Sequence, residues 1–319
     1  MVTILEMERI ASWACRKYVR FLMLGALSSC AFLNLALHAG MGLTYYCSEE
    51  CMTQVLNGPL HSMDKDIVNH IRDYWVDPPA TKGTYKPTFN LENPPWATMG
   101  KWGEANKMLI DYFKGMKDGY GTFVEVGAQD GEFMSLTLYL ELKKQFKGLL
   151  IEPNPIDYPK LRARGRSAYT INACAAPYAG HRRDVLWLRD TPDNLPPILH
   201  RIQEGSNRLL QFVSTEDQEL GKNVDIQCFN LAAMVKAALG VSYVDVLTIS
   251  THGGELDILH NIPMSLKFRV LVLMVPLATS EEWEELAALG KRRGLTPVFD
   301  KNNIHILIPS NQVAIEKKG

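Results

Sequence analysis

An alternation of apolar runs and helical stretches begins at about residue 106 and leaves few folds open to this chain. The runs are short and rich in β-branched residues, and they cover 122–126, 148–151, 168–173, 185–188, 244–249, 270–275, 298–300 and 304–308. The stretches with helical periodicity cover 132–144, 231–239, 255–260 and 281–293. Near-continuous apolar strands that alternate with helices predict a mostly parallel sheet covered by helices on both faces.

The last two apolar runs, 298–300 and 304–308, are separated by only three residues. That gap is too short for a parallel crossover, so the two strands should form an antiparallel hairpin around residues 301–303. A parallel sheet that ends in such a hairpin is the layout of the three-layer, Rossmann-like class I methyltransferase fold. The sequence therefore predicts an α/β domain over residues 106–319.

A different feature lies near the N-terminus, where residues 21–43 contain no Asp, Glu, Lys or Arg. As a helix this segment would be roughly 34 Å long, enough to cross a hydrocarbon core of about 30 Å. Four Lys and Arg residues precede it and no other follows before Lys65, so the positive-inside rule places residues 1–20 in the cytoplasm. We expect one transmembrane helix, retained as a signal-anchor with single-pass type II topology; cleavage as a signal peptide is the alternative.

Residues 44–105 lack sustained periodicity and are dense in proline, which excludes a long helix or a central strand there. The same stretch contains several aromatic residues, among them Trp75, Trp96 and Trp102. A freely flexible linker would not carry so many aromatic side chains. We therefore predict a stem that packs partly against the α/β domain.

The charges of the chain nearly cancel, since 34 Lys and Arg residues stand against 35 Asp and Glu residues. That balance excludes nucleic acid as a favoured partner. The six cysteines include no C-x-x-C pair, so no metal site is predicted. In an oxidising lumen four of them could pair in three ways. Cys47 and Cys51 could form a local disulfide or remain two unpaired thiols, and both alternatives stay open. The other two of these four cysteines are Cys174 and Cys228.

The sharpest local motif is F-V-E-V-G-A-Q-D-G-E-F at residues 123–133, a strand followed by a glycine-containing turn and a predicted helix. Such a turn lets a ligand approach the backbone, and a helix N-terminus adds unpaired N–H donors. Glu152 ends the next strand, twenty-one residues after Gly131. A carboxylate there can accept both ribose hydroxyls of a nucleoside. The alternative is a plain strand–helix connection.

Three blocks of sequence resemble, in order and spacing, the FkbM-type methyltransferase domain family. They read V-E-V-G-A-Q-D-G-E, then G-L-L-I-E-P-N-P, then D-V-L-T-I-S-T-H-G-G-E-L-D-I-L. The resemblance implies S-adenosylmethionine (SAM) as the cofactor. It also implies that Glu152 holds the ribose of SAM and that the loop around SAM is formed by Gly127, Ala128, Asp130 and Gly131.

The third block departs from the family pattern L-K-I-D-V-E-G-A-E. Thr248, Ser250 and His252 stand where the family carries Lys, Asp and Glu, whereas Glu255 is retained. His252 is the one titratable group at this sheet edge that could serve as a catalytic base. A solvated loop histidine is the alternative.

A short apolar anchor ahead of such a domain, together with G-L-L-I-E-P-N-P, is similar to the arthropod Star family. That resemblance implies a membrane protein of the endoplasmic reticulum or Golgi, or of the endosome or plasma membrane. Its partners would be the membrane and either a membrane-bound protein cargo or a small-molecule acceptor. Because SAM is charged and two carboxylates are missing, we expect a methyltransferase-like trafficking module. The alternative is an active SAM-dependent O-methyltransferase.

Overall fold

The computed structural model describes residues 63–276, 278–301 and 303–312. The elements in chain order are α1 (Lys65–Tyr74), β1 (Val76–Asp77), α2 (Trp102–Phe113), β2 (Thr122–Val126), α3 (Leu138–Lys144), β3 (Lys147–Ile151), α4 (Asp157–Ala163), β4 (Tyr169–Ile171), β5 (Cys174–Ala175), β6 (Arg182–Arg189), α5 (Pro197–Glu204), β7 (Arg208–Leu209), β8 (Gly221–Phe229), α6 (Leu231–Leu239), β9 (Tyr243–Ile249), α7 (Glu255–Asn261), β10 (Lys267–Met274), α8 (Ser280–Arg292), β11 (Leu295–Lys301) and β12 (Ile304–Pro309). The predicted membrane segment 21–43 lies outside the described residues. Within those residues, no helix combines the length and apolarity needed to cross a bilayer.

Eight strands form the large sheet, in the order β1-β4-β3-β2-β9-β10-β12-β11. The five strands from β4 to β10 in that order run parallel. Consecutive residues of β3 and β9 are buried, so both faces of the sheet are covered. The strand order reverses between β2 and β9, as in Rossmann-like sheets. The fold is therefore an α/β, Rossmann-like methyltransferase fold with a mixed sheet.

The predicted C-terminal hairpin is confirmed. β11 and β12 pair antiparallel, with Lys301 opposite Ile304 at the turn. β12 also pairs antiparallel with β10, so it lies between β10 and β11 inside the sheet. The three residues between the predicted strands are thus enough to reverse the chain, as the short gap requires.

A second sheet of four strands, in the order β5-β8-β6-β7, corrects one sequence expectation. Residues 185–188 are predicted to join the parallel sheet, but they lie in β6, which pairs antiparallel with β8. β6 is exposed at its start and buried over residues 186–188, and β8 is exposed near its start and buried over residues 226–229. Burial therefore changes along these two strands, so the short apolar run at 185–188 marks only part of β6 and does not reveal its antiparallel partner. A disulfide between Cys174 and Cys228 joins β5 to β8.

The folded unit begins before the predicted domain boundary at residue 106, within the stretch assigned to the stem. α1 starts after Asp64, whose carboxylate accepts the N–H of Asp66, and it buries Ile67 and Ile71 on one face. β1 then pairs antiparallel with β4 at the edge of the large sheet. The helix is only ten residues long, too short for its periodicity to stand out beside the prolines that follow.

The aromatic residues of the stem pack against the domain, as their number predicts. Trp96 and Trp102 are buried. The Trp96 ring packs edge-on against Phe133, with centroids 5.1 Å apart. The backbone N–H of Phe89 donates to the Glu132 carboxylate at 3.1 Å. These contacts fix residues 88–102 beside the loop that follows β2.

Candidate functional site

Two neighbouring cavities open at the carboxyl ends of β2 and β9, where the strand order of the large sheet reverses. Cavity I comprises about 630 Å³ and cavity II about 920 Å³ when the space open to solvent at their mouths is included. The residues that line both are Val126, Gly127, Gln129, Gly205 and Ser250. Open α/β sheets bind their ligands at this reversal point, so the two cavities are the candidate site.

Gly127 lies where the two cavities meet, and its position has no room for a side chain. Its φ is +82°, which favours glycine. A Cβ atom there would lie 2.0 Å from the carbonyl oxygen of Ser250. The Gly127 N–H donates to the Ile151 carbonyl at 3.0 Å, which holds the turn against β3. The glycine thus lets the turn after β2 pack directly on the turn after β9.

Glu152 lines cavity I at the end of β3. Its Oε2 accepts the Gln129 N–H at 2.6 Å and its Oε1 accepts the Asn154 N–H at 2.8 Å. Burial raises the pKa of Glu152 to about 8, because desolvation outweighs these two hydrogen bonds. Near neutral pH the side chain therefore holds a proton and can donate as well as accept a hydrogen bond.

Asp130, a predicted member of the SAM loop, lines neither cavity. Its carboxylate accepts hydrogen bonds from Arg164 at 2.6 Å and from Arg201 at 2.7 Å. It also accepts the backbone N–H of Phe133 at 2.9 Å. Although burial opposes ionisation, these partners hold the pKa of Asp130 at about 2. Asp130 thus stabilises the loop through bonds to other residues of the domain and does not face either cavity.

The other two predicted loop residues, Ala128 and Gly131, also line neither cavity. Ala128 is buried, and its N–H donates to the Ile151 carbonyl at 3.1 Å. A Cβ atom on Gly131 would lie 2.5 Å from Cδ1 of Leu161. The small size of Gly131 therefore permits α4 to pack on the loop. Of the five predicted cofactor-binding residues, the structure brings Gly127 and Glu152 together at the cavities.

The helix predicted over residues 132–144 begins only at Leu138. The Asp130 carboxylate accepts the N–H groups of Glu132 and Phe133, as in a turn. Met134 then adopts a φ of +54°, which ends any helical path. The expected helix N-terminus is therefore absent from this turn among the described residues, and α3 starts farther along the chain.

His252 lines cavity II and does not line cavity I. Burial and the nearby Arg208 guanidinium lower the pKa of His252 to about 4. The imidazole is therefore neutral near pH 7 and a weak base. Its predicted role as a catalytic base stays a prediction, and the lowered pKa does not favour it.

Glu255, the retained residue of the third block, holds the turn after β9. It is buried, and it accepts the N–H of Thr251 at 2.6 Å and the N–H of Gly253 at 2.9 Å. These bonds satisfy backbone donors that the turn would otherwise leave unpaired. Glu255 lines neither cavity, but it holds the turn that includes Ser250, which lines both, and Thr251, which lines cavity I.

Cavity I also contains two polar groups that no sequence motif indicates, Arg208 and Thr251. Arg208 is buried, and its Nη2 lies 3.2 Å from the Asp217 carboxylate. Among the described residues, neither the Nε of Arg208 nor the Oγ1 of Thr251 has a hydrogen-bond partner. Arg208 lies in a strand of two residues, which leaves no periodic signal in the sequence. No three His, Cys, Asp or Glu side chains of the described chain group as metal ligands would.

Comparison with known proteins adds partial likenesses of fold. No protein-family model matches the chain, and no curated protein matches it. The M. capricolum TrmK complex with S-adenosyl-homocysteine is similar at 11% identity and a TM-score of 0.30, over 65% of this chain and 66% of that one, just under two thirds. The N-terminal domain of human METTL16 is similar at 12% identity and a TM-score of 0.31, over 76% of this chain and 81% of that one. The precorrin-6y C5,15-methyltransferase of Geobacter metallireducens is similar at 12% identity and a TM-score of 0.32, over 64% of this chain and 86% of that one. The fold class given above follows from the strand order of the large sheet.

Proposed function

We propose that the described domain binds SAM in cavity I and presents its methyl group to an acceptor in cavity II. The observation that carries this proposal is that the two cavities adjoin at the reversal point of the sheet and share Gly127 and Ser250 as walls. When bound, SAM supplies an electrophilic methyl group on its sulfonium sulfur. A donor site and an acceptor site must therefore touch, as these two cavities do.

The polar groups of cavity I fit those of SAM. Glu152 would hold the ribose hydroxyls, in keeping with the FkbM-type resemblance. Arg208 would bind the carboxylate at the other end of the ligand, because a guanidinium is suited to carboxylate recognition. Unpartnered buried donors are rare in proteins, and within the described chain Arg208 Nε and Thr251 Oγ1 are two of them. A bound ligand would satisfy both.

Titration calorimetry of SAM with the purified full chain tests this proposal. We expect Glu152→Gln to weaken SAM binding about two- to tenfold, because a net hydrogen bond between neutral groups contributes about 0.5–1.5 kcal/mol. Asp245→Asn is the matched control. Asp245 is a buried carboxylate at the opposite end of β9, where it accepts the Thr122 N–H at 2.9 Å. A folded full chain that gives no heat with millimolar SAM would contradict the proposal.

The second candidate is a luminal, partner-binding module of the secretory pathway that resembles the Star family and carries membrane-bound cargo. Ser250 and His252 favour it, since they replace the acidic residues of the FkbM-type pattern. The Cys174–Cys228 disulfide also favours it, because disulfides persist in oxidising compartments. With residues 21–43 as a signal-anchor, the domain would face the lumen of the endoplasmic reticulum or Golgi, where SAM requires a transporter.

Protease protection in sealed microsomes tests the luminal placement. A tag at the C-terminus of the full chain should resist protease until detergent opens the vesicles, because the flanking cations keep the N-terminus cytoplasmic. An N-terminal tag is the control and should be digested without detergent. Digestion of the C-terminal tag in intact vesicles would exclude the luminal orientation. A mature N-terminus near Gly40 would exclude the retained anchor.

A further inference from the structure

A buried carboxylate, Glu125, forms the floor of cavity II. Glu125 of β2 is directly opposite Thr248 of β9, and both side chains line the cavity. Ser135 Oγ donates to Oε2 of Glu125 at 2.8 Å, and the Thr137 hydroxyl donates to the same oxygen. From the described residues, Oε1 accepts no hydrogen bond. One oxygen of this buried carboxylate is therefore left for a ligand.

The charges around Glu125 do not balance. Arg166 is the guanidinium of this cluster, and it pairs with Glu141 through a 2.8 Å contact. It reaches Ser135 at 3.4 Å and Thr137 at 3.3 Å, the two residues that bind Glu125. Arg166 forms its ion pair with Glu141, and Glu125 has no direct ion pair among the described residues. Burial raises the pKa of Glu125, although the nearby Arg166 charge opposes the rise, and a hydrogen-bond donor in the cavity would stabilise the charged form of Glu125.

The opposite side of the floor carries a second unsatisfied group. Thr248 is only 4% exposed, and among the described residues its Oγ1 has no hydrogen-bond partner. The walls above the floor are largely apolar; they include Phe133, Met134, Leu136, Ile202, Met274 and Ile304. His252 also lines the cavity and is neutral near pH 7. An apolar cavity with a few convergent polar groups is the usual form of a small-molecule site.

We propose that cavity II binds an apolar small molecule through a hydroxyl group, which donates to Oε1 of Glu125 and accepts from Oγ1 of Thr248. Oε1 of Glu125 can accept a hydrogen bond and the Thr248 hydroxyl can donate one, so a ligand hydroxyl, which does both, satisfies the two groups at once. An ether oxygen cannot donate to Oε1. This inference rests on the proposed function in one respect, because the bound hydroxyl would be the methyl acceptor. Its oxygen would form the new C–O bond as the C–S bond of SAM breaks, the hydroxyl proton would pass to Glu125, and S-adenosyl-homocysteine would leave.

Two compounds with the same apolar body test the inference. 4-Ethylphenol carries a hydroxyl group where 4-ethylanisole carries a methyl ether. Each compound is titrated into the full chain in lipid nanodiscs. We expect the phenol to bind about two- to tenfold more tightly, which is the effect of one additional net hydrogen bond. Thr248→Val should weaken the phenol severalfold, leave the ether unchanged and leave the melting temperature unchanged, because Oγ1 has no partner to lose. A purely structural role of Thr248 would not produce that pattern.

Glu125→Gln should abolish the preference for the phenol, because the amide group facing the cavity would donate instead of accept. Asp245→Asn is again the matched control and should keep the preference. Should Glu125→Gln fail to fold, Thr248→Val alone decides. Equal affinities of the wild-type chain for phenol and ether would overturn the inference, and so would absence of binding by both compounds.

Two further outcomes separate this inference from the proposed function. Loss of SAM binding in Glu125→Gln with the phenol preference retained would place Glu125 in cavity I and overturn the inference alone. A phenol preference in a chain that binds no SAM would uphold the hydroxyl site and contradict the methyltransferase.

Discussion

Gly127→Ala should destabilise the domain by about 4 kcal/mol or more, among the largest effects expected of a single substitution. The new Cβ would lie 2.0 Å from the Ser250 carbonyl oxygen, which is backbone and cannot rotate away. The clash would push β2 from β9 and break the 3.0 Å hydrogen bond from the Ser250 N–H to the Val126 carbonyl. Urea unfolding of the full chain, followed by tryptophan fluorescence, measures the loss.

Gly119→Ala is the matched control for this steric effect. Gly119 has nearly the same backbone conformation, with a φ of +83°, but a Cβ there would meet nothing within 4 Å. It should therefore cost only the conformational penalty of a left-handed alanine, about 1 kcal/mol. Equal losses of unfolding free energy in the two variants would show that the left-handed backbone conformation alone explains the effect at Gly127. The predicted clash with the Ser250 carbonyl oxygen would then be wrong.

Removal of the Cys174–Cys228 disulfide should have the second large effect. The bond closes a loop with a sequence separation of 54 residues, for which chain entropy predicts a stabilisation of about 4 kcal/mol. Both cysteines are buried, so a double alanine variant avoids burying new polar groups. We expect its melting temperature to fall by about 8–16 °C, given a few degrees per kcal/mol in a domain of this size.

Reductant supplies the control for the disulfide. It should lower the melting temperature of the wild-type chain to that of Cys174→Ala/Cys228→Ala, and it should leave the double variant unchanged. A wild-type melting temperature that does not respond to reductant would contradict a stabilising disulfide in the purified protein.

The elements with strong local signals could be predicted from the sequence. α6 has the predicted bounds, because Asn230 caps its start and Gly240, at a φ of +71°, ends it. The runs at 122–126 and 244–249 were predicted as strands and form the two central strands, since strands buried on both faces are mostly apolar without a regular polar alternation. Gly127 and Glu152 were found because a glycine turn and an acidic strand end are local patterns.

The remainder depends on contacts between distant residues. The late start of α3 follows from Asp130, which binds Arg201 seventy-one positions away as well as the local backbone. The second sheet depends on β8, whose exposed first half carries no strand signal. Glu125 belongs to the same motif as Gly127. Its place on the floor of cavity II, however, depends on the pairing of β2 with β9, which brings Thr248 opposite it.

The interior position of β12 sets a condition on the synthesis of the chain. The ribosome makes this strand last among the twelve, yet β10 and β11 have no direct pairing within the described sheet until β12 enters between them. A nascent chain that stops before residue 304 would leave Leu271, Val272 and Leu273 on an open apolar edge. Such edges recruit other chains. Premature stop codons shortly before the codon of residue 304 should therefore yield aggregated product, not a slightly shortened domain.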